Sequence, residues 1–156
     1  MKNILLWLIA GLCSGCASSP PVYQLGATGS TAKFKFETSS FGAAHIYDDG
    51  ASCKGISPIK TGDWIIVKAD EPLTFVAHGG SNVNVFDYRF CRANVTFSPK
   101  KNGIYLAKFL FGDKSCRVAV FEVQTDDVQH PVESYLRKYD APFFQSGSWC
   151  GERIQG

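Results

Sequence analysis

Polar and apolar residues alternate with a period of two along most of this chain. In Lys33-Phe34-Lys35-Phe36-Glu37 both phenylalanines fall on one side and the charges on the other, the signature of a strand buried on one face. Ala44-His45-Ile46-Tyr47 follows and is closed by the turn residues Asp48-Asp49-Gly50. Trp64-Ile65-Ile66-Val67-Lys68 and Pro72-Leu73-Thr74-Phe75-Val76-Ala77 are β-branched and aromatic runs separated at Asp70-Glu71, and His78-Gly79-Gly80-Ser81 ends the second. Asn82 to Phe90 predicts one more strand, followed by Cys91 to Phe97, Ile104 to Phe111 and Cys116 to Val123. Ser98-Pro99-Lys100-Lys101-Asn102-Gly103 and Gly112-Asp113-Lys114-Ser115 read as the hairpin turns that join the last three.

About seven or eight short strands, broken by Gly, Pro and Asp, predict an all-β fold: an antiparallel β-sandwich, immunoglobulin-like or transthyretin-like, or a small barrel. No strand-helix-strand alternation is present, which argues against a parallel α/β sheet. One short C-terminal helix is expected. Pro131 suits its first position, Val132, Tyr135, Leu136 and Tyr139 follow the i, i+3, i+4, i+7 stripe, and Glu133 and Arg137 are placed for an ion pair. The tail from Pro142-Phe143-Phe144 to Trp149-Cys150 is too apolar to float free and is expected to be pinned to the body by Cys150.

The first sixteen residues break this pattern. Lys2 supplies a positive start, Ile4-Leu5-Leu6-Trp7-Leu8-Ile9-Ala10 an uncharged apolar run, and Ser14-Gly15 small residues just before Cys16, the layout of an export signal. A bilayer-spanning helix needs roughly 20 apolar residues, whereas this run ends by Leu12. Cys13-Ser14-Gly15-Cys16 resembles the lipobox of bacterial lipoproteins, with Cys13 where that family places an aliphatic residue. The resemblance implies diacylglyceryl transfer to the Cys16 sulfur, cleavage before it and acylation of the freed amine. Several buried acyl chains, at roughly 0.8 kcal/mol per CH₂, would anchor the protein permanently. Ala17, rather than Asp, after the cysteine implies passage to the outer membrane, facing the periplasm. The same four residues spell a C-x-x-C redox or half-zinc motif, but that chemistry needs both sulfurs on a folded turn, and Cys13 is expected to leave with the signal. The organisation expected is a signal peptide over 1–15, a flexible tether over 16–30, rich in Ser, Pro, Gly and Thr, and a single β-sandwich domain over 31–156.

Charge narrows the partners. Sixteen basic residues stand against 14 acidic, for a net charge of +2. No basic stripe favours nucleic acid or a second, electrostatic contact with a membrane. Beyond Cys13 and Cys16 the chain holds four cysteines, Cys53, Cys91, Cys116 and Cys150, and an even number in a small exported domain favours two disulfides. Three pairings are open. A flat meander would hold Cys91 and Cys116 about 9.6 Å apart, beyond the roughly 7 Å reach between Cα atoms. A twisted or two-layer arrangement could join them, and the expectation leans to Cys91–Cys116 with Cys53–Cys150.

Candidate chemistry is sparse. Ser57-Pro58-Ile59-Lys60 matches S-x-x-K and Lys60-Thr61-Gly62 matches K-T-G, yet the enzymes that use these motifs hold them apart on a helix and a strand, so motifs sharing one lysine cannot build that site. Ser30-Thr31-Ala32-Lys33 repeats the first by chance. His45, His78 and His130 fit surface, turn or capping positions, and no catalytic or metal-binding spacing surrounds them. Asp48-Asp49-Gly50 lacks the further ligands of a calcium loop. No catalytic residue, metal or cofactor is expected. Trp64, and Trp149 with the Phe143-Phe144 tail, are the candidate binding aromatics, because exposed aromatics anchor partners, although core packing is the commoner use. An open strand edge is the other route to a partner.

The run Cys91-Arg92-Ala93-Asn94-Val95-Thr96-Phe97-Ser98-Pro99, through Gly103-Ile104-Tyr105 to Cys116-Arg117-Val118, together with the signal, resembles small uncharacterised proteobacterial outer-membrane lipoproteins. That resemblance carries no chemistry. The chain is therefore expected to be a non-enzymatic, lipid-anchored structural or protein-interaction module of the cell envelope. The alternative is a ligand-binding or hydrolase-inhibitor lipoprotein, and an envelope hydrolase comes third.

Overall fold

Phe34 and Phe36 leave one strand on the same side, and everything built around them serves to keep water from that side. The computed structural model describes residues 22–24, 29–39, 41–84, 87–111, 115–124, 128–144 and 147–155. The signal segment and Cys16 lie outside them, as does most of the expected tether. Within them the chain forms β1 (Thr31–Thr38), β2 (Phe41–Asp49), β3 (Lys54–Ile59), β4 (Trp64–Lys68), β5 (Leu73–Asn84) and β6 (Asp87–Phe97). It continues as β7 (Ile104–Phe111), β8 (Cys116–Val123), β9 (Gln129–Pro131), β10 (Tyr135–Tyr139) and β11 (Cys150–Arg153). The order β4-β1-β7-β8-β9 makes a five-stranded sheet, and β11-β10-β6-β5-β2-β3 makes a six-stranded one.

The two sheets share one core. Phe34 and Phe36 of β1, with Ala107 and Phe109 of β7, meet Phe75 and Ala77 of β5 and Val95 and Phe97 of β6. The contact is aromatic. Phe34 lies 5.2 Å from Phe75 between ring centroids, and Phe97 lies 5.2 Å from Tyr105. Such pairs add about 0.5–1.5 kcal/mol each beyond the area they bury. At Gly79 of β5 a Cβ would sit 2.8 Å from the Phe109 ring of the facing sheet and 2.6 Å from the Phe41 carbonyl of the neighbouring strand. A side chain there would force the layers apart.

Two features depart from a simple antiparallel sandwich. β1 pairs in parallel with β7, Lys33 opposite Ile104 and Thr38 opposite Phe109. The connector from Ser98 to Gly103, expected to be a hairpin turn, instead carries the chain from one sheet to the other. Tyr23, within the expected tether, packs against the core and donates its backbone N–H to Pro58 of edge strand β3 at 2.9 Å.

The expected C-terminal helix is absent: all described elements are strands. Over Tyr135–Tyr139 a period of two wins over the helical stripe, because β6 offers an unpaired edge that takes Tyr135 opposite Thr96 and Arg137 opposite Asn94. Arg137 then donates its Nε to the Gly151 carbonyl at 2.9 Å and a terminal nitrogen to the Ala51 carbonyl at 2.7 Å. Those bonds replace the ion pair with Glu133 that a helix would have allowed. His78-Gly79-Gly80-Ser81 does not end a strand but continues β5, and the chain reverses only between Asn84 and Asp87, which pair with each other. The single strand expected over Asn82 to Phe90 is thus split between β5 and β6. β3, which carries Pro58, had no signal in the alternation.

A second, smaller core lies on the other face of the six-stranded sheet. Tyr47, Cys53, Val76 and Cys150 are buried there, with Ile56, Tyr139 and Trp149 packed against them. The Tyr47 hydroxyl donates to Asn94 Oδ1 at 3.0 Å, and Asn94 Nδ2 donates to the Trp149 carbonyl at 3.2 Å. Cys53, in the turn between β2 and β3, is bonded to Cys150 with 5.7 Å between Cα atoms. Laid flat, four to five strand spacings would separate these positions by roughly 19–24 Å, so the sheet curls. The second disulfide, Cys91–Cys116, with Cα atoms 6.3 Å apart, ties β6 of one sheet to β8 of the other. Replacing both Cys53 and Cys150 by Ser opens a loop of 97 residues and should cost about 2–5 kcal/mol, read as a lowered urea midpoint. A loss below about 1 kcal/mol would show that the curl holds without the bond.

Candidate functional site

Register determines which side chains share the outer face of the six-stranded sheet. Ala43, His78 and Arg92 form one cross-strand row, His45, Val76 and Asn94 the next, and Phe41, Gly80 and Phe90 the row at the far end. Side chains two apart along a strand share a face, so these three rows form one surface. It passes from the second core at one end to exposed rings at the other. Phe41 is 87 % exposed and Phe90 52 %.

The middle of this surface is cationic and aromatic. The His45 and His78 rings stack with centroids 5.3 Å apart, and His78 lies 6.1 Å from Phe90. The Arg92 guanidinium sits 4.2 Å from the Tyr139 ring centroid and 5.3 Å from that of Phe90. Burial holds both imidazoles below the ordinary value of 6.5, and the Arg92 charge pushes the same way; His45 is lowered further by His78. Among the described residues no carboxylate is one of the groups acting on either ring. His45 Nδ1 and Trp149 Nε1 are buried without a hydrogen-bond partner among the described residues. Burial, helped by Tyr139, raises the Tyr47 hydroxyl well above the ordinary phenol range. This surface can therefore offer imidazole N–H groups and a guanidinium to an anion, and ring faces to an apolar group.

The histidine pair corrects the expectation of isolated surface or turn positions. His45 and His78 come together because β5 runs on through His78, opposite Ala43. Extending the alternation past Ala77 would have put His78 in the strand. Only the pairing of β2 with β5 brings it against His45. His130 lies apart, exposed in β9.

The two candidate tryptophans stand in different places. Trp64 is half-exposed on edge strand β4, with Lys35 Nζ 4.9 Å from its ring centroid. Trp149 packs in the second core, 6.3 Å from Tyr139. Phe143 and Phe144 form an exposed edge-to-face pair with centroids 4.9 Å apart, on the segment between β10 and β11. Ser57 lies in β3, and Lys60, in the turn that follows, pairs with Asp63 at 2.9 Å. Among the described residues no group of three or more His, Cys, Asp or Glu is placed to hold a metal ion.

A separate cleft of about 560 Å³ opens beside the first core, lined by Lys100, Tyr105, Glu122, Glu133, Tyr135 and Arg153 among others. The Tyr105 hydroxyl accepts the Lys100 backbone N–H at 2.9 Å and faces Glu122 Oε1 at 3.4 Å. Compared with known proteins, the chain matches no family model, no curated protein and no solved structure.

Because both pKa values are lowered on folding, the unfolded chain protonates His45 and His78 before the folded one does, so the contribution of this pair to stability is full above about pH 6.5 and is lost as pH falls below that value. Urea midpoints taken between pH 7.5 and 5 should show this decline, and a His45→Gln, His78→Gln double variant should show a shallower one. Equal slopes would mean that the pair does not contribute.

Proposed function

We propose that this protein is a lipid-anchored module of the cell envelope that docks a partner protein and performs no catalysis. In this reading the chain is exported by its first fifteen residues, acylated on Cys16 and held at the outer membrane facing the periplasm. The observation that carries the docking role is the pair of exposed rings, Phe41 and Phe90, on either side of Gly80. Large apolar side chains grouped at a surface mark interaction sites. The two disulfides fit an oxidising compartment. The finer fold assignment, an immunoglobulin-like or transthyretin-like sandwich, belongs to the same proposal. Its support is the pairing of two sheets around one core.

A second reading, a ligand-binding lipoprotein, is favoured by the cleft at Tyr105 and Tyr135, whose volume is that of a small-molecule site, about 300–1,000 Å³.

Crosslinking in whole envelopes followed by pull-down should recover a defined membrane protein with the natural chain, and recover much less with a Phe41→Ser, Phe90→Ser variant. Equal recovery would remove the docking role from this face, and a bound small molecule without a protein partner would favour the cleft. A Cys16→Ser chain should fractionate with the soluble periplasm; its retention with membranes would overturn the acylation.

A further inference from the structure

We propose that the face carrying Phe41 and Phe90 is a seat for a carboxylate-bearing apolar peptide segment of the partner, with Arg92 and His78 taking the carboxylate and the exposed Phe41 and Phe90 rings taking the apolar side chain. This rests on the docking role proposed above and names the chemistry of what docks.

Arg92 is the first part of the argument. Its guanidinium is held by two aromatic rings, Tyr139 and Phe90, and by no carboxylate among the described residues, whose three ion pairs are Lys35–Glu37, Lys60–Asp63 and Lys68–Glu71. Ring faces hold a cation in place without neutralising it, so its charge remains available. His78 stands directly opposite Arg92 in register, and as a neutral imidazole it still offers one N–H. A guanidinium and an imidazole side by side, with no acid among the described residues acting on the imidazole, are complementary to an anion and repel a cation.

Geometry supplies the second part. Phe41 and Phe90 sit on strands two spacings apart, about 9.6 Å, and the residue between them is Gly80. Gly80 is buried, whereas Phe41 and Phe90 are exposed, so the two rings flanking that row are the apolar surface a side chain can lie against. The rings are one row beyond Arg92 and His78, which along a strand is two residues, or about 6.8 Å. An extended peptide can present an apolar side chain and a carboxylate at that separation, either from one C-terminal residue or from neighbouring residues. A free inorganic anion would use Arg92 and leave both rings in water.

The test uses fluorescence anisotropy with the full chain in detergent micelles and a labelled Gly-Ser-Gly-Phe peptide carrying either a free terminal carboxylate or a terminal amide. The carboxylate form should bind about tenfold tighter, the difference expected of one charge-assisted hydrogen-bonded contact. Arg92→Gln should abolish that preference, Arg92→Lys should keep most of it, and Phe41→Ser should weaken both peptides alike. Circular dichroism of each variant separates lost binding from lost folding, and Arg92→Lys keeps the test open if Arg92→Gln does not fold. Equal affinity for the two peptides, or a preference that survives in folded Arg92→Gln, overturns the proposal. Binding to phosphatidylglycerol vesicles with no preference between the peptides also overturns it and gives the face to a lipid surface. If neither peptide binds while envelope crosslinking still depends on Phe41 and Phe90, the carboxylate seat falls and the docking role stands.

Discussion

Every residue from Leu73 to Ala77 in β5 is buried, and that run constrains the rest of the structure. Successive side chains point to opposite faces of a sheet, so a strand with one wet face buries only alternate positions. β5 needs cover on both sides. The five-stranded sheet provides one cover through Phe34, Phe36 and Phe109. The other face receives the turn at Cys53, strands β10 and β11, and Trp149.

The cover on the second face is incomplete, and the candidate site begins where it stops. At the covered end, Tyr47, Asn94 and the Trp149 carbonyl are linked by hydrogen bonds, Arg137 ties β10 to the turn and to β11, and Cys53–Cys150 closes the curl. Two rows further along, Phe41 and Phe90 lie open. His45, His78 and Arg92 occupy the boundary, the two imidazoles half-buried and Arg92 exposed. A rigid, stapled support beneath a few adaptable surface groups is what a recognition site needs, since ordering those groups on binding then costs little.

Relative magnitudes separate what stabilises this domain from what the surface offers to others. Exposed ion pairs contribute about 0–1 kcal/mol, and those between Lys60 and Asp63 and between Lys68 and Glu71 are of that kind. Truncating a buried phenylalanine costs about 3–5 kcal/mol, and Phe34, Phe36, Phe75 and Phe109 are all fully buried. Stability therefore resides in the aromatic core and the disulfides. A cation–π contact at an exposed site adds about 0.5–1 kcal/mol, so the contacts of Arg92 with Tyr139 and Phe90 are minor beside the aromatic core.

How much was legible beforehand depends on the range of the interaction. Alternation in Lys33–Glu37 places β1, because a period of two is a local consequence of one buried face, and apolar, β-branched or aromatic runs bounded by turn residues place β4, β7 and β8. Where both faces are buried, or where Gly and Pro interrupt, the pattern loses its meaning. The pattern therefore ends β5 early, at His78, and gives no signal for β3. Over Tyr135–Tyr139 helical and strand periods both fitted, and the open edge of β6, distant in sequence, decided for the strand. The sequence by itself determined an all-β chain, an aromatic core and four cysteines after the signal-like segment. Only the tertiary structure decided that β1 and β7 run parallel, that one sheet curls to bury both of its faces, and that His45, His78 and Arg92 share a surface with Phe41 and Phe90. Those outcomes depend on which strands pair and in what register, and both are fixed by contacts between residues dozens of positions apart.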